Sequence, residues 1–287
     1  MSTPAAASSQ LTAANLVAAA ANGITYTYRR FGNGAPDKPP LLFLQHFRGN
    51  LDNWDPDLVD AIAAEREVIL LDNTGVGGSS GTTPNTVAAM AHDALAFVDA
   101  LGLRTLDILG FSLGGYVAQE LALIRPQLVR RIVLAGTGPR GGEQMHGFTP
   151  DVHEAATRDQ LTGADFVSLF FERTPADVAK GEQFLERIFS RTHDRDEPTS
   201  LQTRNAQLDA ITAWGIPEPA RLQRLAGITQ PTLVANGDHD IMIPTRNSRL
   251  LAANLPSARL SLYPHAGHGF LFQYAMDFAM EINALLG

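Results

Sequence analysis

The chain has 287 residues, enough for one large α/β domain or about two domains of roughly 150 residues each. Its 22 Lys and Arg against 30 Asp and Glu give a net charge of -8, which argues against a phosphate-tracking nucleic-acid binder, and 45% hydrophobic against 18% charged residues excludes a mainly disordered chain. With no cysteine there are no thiolate nucleophiles, disulfides, cysteine-ligated zinc or iron–sulfur clusters, which leaves oxygen and nitrogen chemistry.

Residues 1–13, rich in Ala and Ser, read as a disordered leader. The first basic residue is Arg29, so the stretch Met1 to Gly23 lacks the positive region of a secretory signal, and its longest apolar run, Leu16 to Ala21, is far below the roughly 18 residues of a spanning helix. A cytoplasmic protein without membrane contact is expected. Asn22-Gly23 between Leu16-Val17 and the β-branched and aromatic run Ile24 to Tyr28 predicts a hairpin. Short apolar runs follow at Leu41–Leu44, Val68–Leu71, Leu106–Leu109, Ile132–Ala135 and Thr232–Ala235, with a weaker one at Arg259–Tyr263. Because they do not alternate, they predict strands buried on both faces, the habit of a parallel sheet. Helical patterns lie between them: Thr83-Pro84 is expected to cap a helix through Val87, Met90, Ala94 and Val98, and Pro126 to stop the helix of Val117, Leu121 and Ile124. Strands alternating with helices predict an α/β doubly wound, mostly parallel sheet. Residues 138–227 carry helical faces and no convincing strand, so they are expected to be a helical insertion between core segments 14–137 and 228–287.

Gly110-Phe111-Ser112-Leu113-Gly114-Gly115 stands where the run Leu106–Leu109 meets a helix. A serine exposed at such a sharp turn needs small neighbours, because larger side chains would collide as the helix folds back on the strand. The Leu113 N–H then lies at a helix N-terminus, where unpaired amides favour a developing oxyanion. Downstream, Asp240 follows the run Thr232–Ala235, and His268 follows the weaker run that ends at Tyr263. Ser, Asp and His thus come in that order, each just past a predicted strand end, where open parallel sheets place their sites.

On these motifs the chain resembles the α/β-hydrolase family over about residues 14–287. The resemblance implies Ser112 as nucleophile, His268 as base and Asp240, in the turn that begins at Gly237, as acid. Leu44-Gln45-His46-Phe47-Arg48-Gly49 resembles the family's oxyanion loop, which implies the N–H groups of Phe47 and Leu113 as the two donors, although Gln45-His46 replaces the usual His-Gly pair. Asp72 to Ser80 resembles a structural loop of the family, with Thr74 where Arg is usual. Residues 138–227 correspond to its lid, whose Phe166, Phe170, Phe171 and Trp214, with His46, are candidates for the substrate pocket. Asp238 shares a turn with Asp240, and His265 shares one with His268, so each is an alternative for its neighbour. His239 lacks a helix-spaced His partner, so no metal is expected, nor any cofactor. Asp194 to Glu197 reads as a solvated loop.

The implied activity is hydrolysis of a small neutral carboxylic ester or lactone through an acyl-enzyme. The subgroup resembles small esterases, enol-lactonases and cofactor-free haloperoxidases, which implies perhydrolase side activity. A sensor, lyase or cofactor-free dioxygenase on the same fold is the alternative. Serine at the elbow disfavours dehalogenase and epoxide-hydrolase chemistry, which needs an attacking carboxylate.

Overall fold

The computed structural model describes residues 9–35 and 37–287. The first strands, β1 (Leu16–Ala19) and β2 (Thr25–Gly32), form the antiparallel hairpin expected around Asn22-Gly23, with Gly23 at φ 82°. There follow β3 (Leu41–Leu44), α1 (Pro56–Ala63), β4 (Glu67–Leu71), α2 (Val87–Ala100), β5 (Leu106–Phe111), α3 (Leu113–Ile124) and β6 (Val129–Ala135). Next come α4 (Pro150–Ala156), α5 (Gly163–Phe170), α6 (Pro175–Phe189) and α7 (Leu201–Gly215), with a 3-10 segment over Pro219–Gly227 and no strand. The chain closes with β7 (Thr232–Gly237), α8 (Arg246–Asn254), β8 (Ala258–Tyr263), α9 (Phe270–Gln273) and α10 (Ala275–Leu286).

The strands make one eight-stranded sheet in the order β1-β2-β4-β3-β5-β6-β7-β8, antiparallel at β1–β2 and β2–β4 and parallel thereafter. The central strands β3 and β5 are buried at every position, which is why their sequences do not alternate. The one charge in β5, Asp107, stays buried because Arg130 binds it with two hydrogen bonds (3.0 and 2.5 Å) and the buried Arg66 guanidinium lies 3.7 Å away.

Three expectations are corrected. The cap of α2 is Thr86, whose hydroxyl accepts from the Ala89 N–H, whereas the Thr83 hydroxyl is buried and donates 2.8 Å to the Thr74 carbonyl. Of the leader, residues 1–8 lie outside the described residues, but Gln10 and Ala13 are buried. Gln10 donates through its backbone to Asp60 (2.7 Å) and through its side chain to the Leu51 carbonyl (2.7 Å), and such bonds outweigh a weakly apolar composition. Within the loop 194–197, Asp196 is half-buried, and its N–H donates 2.8 Å to Asp52, so only its neighbours are exposed.

Asp107→Asn should lower unfolding free energy by about 3–5 kcal/mol, because it leaves the Arg66 charge buried and uncompensated. Urea denaturation checks this, and a loss below about 1 kcal/mol would contradict the account of β5.

Candidate active site

β5 ends at Phe111 and α3 begins at Leu113, so a single residue makes the turn. Ser112 adopts φ 55°, ψ −117°, a conformation that non-glycine residues avoid. The turn is held by the Ser112 N–H donating to the Ala135 carbonyl (2.9 Å) and the Thr137 hydroxyl donating to the Ser112 carbonyl (2.8 Å). A Cβ at Gly110 would lie 2.7 Å from Gly115 Cα, one at Gly114 would collide with the Leu44 carbonyl, and one at Gly115 would lie 2.6 Å from Thr137 Cβ. These contacts explain the glycines flanking the serine. Although Ser112 occupies the N-cap position of α3, its hydroxyl accepts no helix N–H and remains available to other partners.

Two further strand ends converge on the turn. From β7, Asp240 accepts the N–H groups of Met242 (2.8 Å) and Ile243 (2.9 Å) on Oδ1, and its Oδ2 lies 2.7 Å from His268 Nδ1. Both side chains are almost fully buried. The Asp240 turn is tied to the loop after β8 by the Asp238 N–H donating to Tyr263 (3.0 Å) and the His239 N–H donating to Ala266 (3.0 Å). His268 packs against Phe111 (ring centroids 4.9 Å) and Phe170 (5.3 Å). Asp238 and His265 are exposed, and neither takes the place of its neighbour in the pair. Asp238, His239 and Glu172, which the sequence did not single out, lie within 4.8 Å of one another. There the His239 Nδ1 is 2.5 Å from Glu172, and that bond raises the imidazole pKa.

The loop after β3 completes the site. From His46 to Asp52 every backbone N–H except one donates to a described partner: His46 to Gln45 Oε1, Arg48 to Gln207, Gly49 to the His46 carbonyl, and Asn50, Leu51 and Asp52 to Asn53, Asp72 and Asn50. The exception is Phe47. The Leu113 N–H likewise has no acceptor among the described residues. More than about 90% of buried backbone N–H groups are paired, so these two donors, one in the loop after β3 and one directly after Ser112, stand out.

Ser112, His268, His46, Phe47 and Met242 line a cavity of about 390 Å³, walled by Phe166, Leu169, Phe170, Leu185 and Ile188 from α5 and α6. Phe166 and Phe170 stack at 4.2 Å and meet the His46 ring edge-on. Trp214 is absent from this wall: it stacks on Tyr116 at 5.0 Å and its Nε1–H donates to Gly138 (3.3 Å), because that indole N–H needs a buried acceptor. Phe171 also faces away, toward a separate hollow with Glu172 and His239. The Asp72 loop serves structure, its carboxylate accepting from Leu51 and Gly78, while Thr74 donates to Asp93.

A family model for the alpha/beta hydrolase fold matches residues 39–274. The chain belongs to that family. A solved structure of an alpha/beta hydrolase fold protein from Chitinophaga pinensis is 42% identical with a TM-score of 0.90, covering 97% of this chain and 99% of that one. The RutD protein of Stutzerimonas stutzeri, which carries the name of a carbamate hydrolase, is 28% identical over 254 residues, 84% of this chain and 89% of its own. The enol-lactonase of Burkholderia xenovorans shares the fold at 23% identity and a TM-score of 0.77, covering 94% of this chain and 99% of that one. The eight-stranded, mostly parallel sheet is therefore an alpha/beta hydrolase sheet. No helix of the described residues is long and apolar enough to cross a membrane.

Burial, only partly opposed by the bond to the Phe47 carbonyl, pushes the His46 imidazole down to about 3. Between that pH and about 6.5 the unfolded chain binds a proton that His46 in the native protein refuses, so the contribution of this group to stability falls as pH drops, by up to about 1.4 kcal/mol per unit. The pH-dependence of the urea midpoint should therefore be shallower in His46→Leu than in wild type between pH 7 and 4. Parallel profiles would contradict a neutral His46.

Proposed function

We propose that the protein is a serine hydrolase of small carboxylic esters or lactones, acting through an acyl-enzyme on Ser112. The observation that carries this reading is the buried Asp240–His268 pair opening onto the same cavity as a strained Ser112 flanked by two unpaired N–H groups. A carboxylate accepts from an imidazole only where the nitrogen bears the proton, so the 2.7 Å contact leaves His268 Nε2 as the basic atom.

In this mechanism Nε2 takes the Ser112 proton as Oγ bonds to the acyl carbon, and the carbonyl π electrons move to oxygen. The N–H groups of Phe47 and Leu113 hold that oxyanion, each worth about 3–4 kcal/mol to the transition state by analogy with other oxyanion donors. The carbonyl reforms, the leaving alcohol takes the proton from His268, and water repeats the sequence to release the acid. Asp240 fixes the tautomer and stabilises the imidazolium. No metal or redox cofactor enters these steps. We take residues 138–227 as the lid that shapes the cavity, and the cysteine-free chain as a cytoplasmic protein. An apolar wall favours a neutral, aliphatic or aromatic acyl or alcohol group over a polyanion. A carbamate presents the same acyl carbon, so the likeness to RutD makes carbamates worth assaying beside esters.

Wild type should release p-nitrophenol from p-nitrophenyl acetate and butyrate. Ser112→Ala and His268→Ala should each lower kcat by about 10⁴-fold or more while keeping the fold. Wild-type rates in folded Ser112→Ala would overturn the assignment.

A further inference from the structure

Phe47, the loop donor of the proposed oxyanion site, is followed by a residue that the proposed chemistry does not use. Arg48 sits at φ 64°, in the left-handed region uncommon for non-glycine residues, and it is buried at the cavity wall. Its hydrogen bonds all run to the helical stretch between β6 and β7. The N–H donates 2.7 Å to the buried Gln207 of α7, and the carbonyl accepts 2.6 Å from the Thr199 hydroxyl. The guanidinium donates to the carbonyls of Ala156 (3.2 Å), Arg158 (2.6 Å) and Asp159 (3.2 Å) at the end of α4. Among the described residues no carboxylate lies within 4.0 Å of it, so the cation is spent on main-chain oxygens rather than on an ion pair. Each partner lies more than 100 residues away in sequence.

We propose that Arg48 is a positioning residue through which the helical stretch sets the Phe47 N–H against the acyl oxygen. Because its backbone is bonded to Gln207 and Thr199 and its guanidinium to the end of α4, a shift of α4 or α7 rotates the 47–48 segment and withdraws the donor. The competence of the oxyanion site therefore depends on where the helical stretch sits, and the apolar wall and the donor are set together. This rests on the acyl-enzyme reading, and the test separates the two.

Steady-state kinetics with p-nitrophenyl butyrate and inhibition by butylboronic acid, which forms a tetrahedral adduct on an activated serine, should be compared in wild type, Arg48→Ala, Arg48→Lys and Gln207→Leu. Since a misplacement of about 1 Å costs roughly 10²-fold, Arg48→Ala should lower kcat about 10- to 100-fold with KM within about twofold, and raise the boronate Ki by the same factor as kcat falls. Gln207→Leu, which leaves Arg48 in place, should show the same pattern, and it keeps the test alive where Arg48→Ala does not fold. Arg48→Lys, able to reach one of the three carbonyls, should recover part of kcat. Folded variants with kcat and Ki within about twofold of wild type would overturn the proposal, as would kcat and KM worsening together in step with lost thermal stability. A wild type that neither turns over ester nor binds boronate would overturn the acyl-enzyme reading itself, and this inference with it.

Discussion

Most of the site depends on the one-residue turn between β5 and α3. Holding Ser112 at φ 55°, ψ −117° carries a conformational cost of order 1–3 kcal/mol, which only over-determined surroundings can sustain. The surroundings do so through a fully buried strand on one side, a helix packed onto the ends of β3 and β6 on the other, and hydrogen bonds to Ala135 and Thr137. The same packing that requires glycine at 110, 114 and 115 brings the start of α3 against the loop after β3. Strain at one residue and the close approach of α3 to the loop after β3 are therefore one structural fact.

The rest of the cavity is arranged around that turn by long-range bonds. β7 and β8 deliver Asp240 and His268 at neighbouring strand ends, and backbone bonds between their loops fix the distance between them. The Gly269 N–H donates 2.6 Å to the Phe170 carbonyl, so the loop bearing His268 is fastened to α5, which also supplies the apolar wall. Buried charge is handled in the same way, with Arg29 on Asp52 at 2.6 Å and the Asp196 N–H on the same carboxylate. The carboxyl of Asp72 is pushed up by burial and by the neighbouring Asp196.

Much of this was legible in sequence where one local signal decides a structure. Runs such as Leu41–Leu44 cannot be half-exposed strands, and a serine between glycines at a strand–helix junction has few other geometries. The order of Ser112, Asp240 and His268 pointed to the strand ends where the Asp240–His268 contact forms and where His268 and Ser112 line one cavity. What stayed hidden depends on partners far along the chain. Thr83 and Thr86 are both plausible caps, and only the buried acceptor at Thr74 takes Thr83 out of the helix. Trp214 has the composition of a pocket residue, but stacking on Tyr116 turns it away. The partner of Arg48 at Gln207 leaves no pattern, since nothing in either segment records a contact across 159 positions.

Ser112 as an activated nucleophile is the central claim, and intact mass after treatment with a serine-directed fluorophosphonate tests it without choosing a substrate. One adduct on wild type and none on Ser112→Ala is the predicted result. An unmodified, folded wild type, or equal labelling of both proteins, would contradict it.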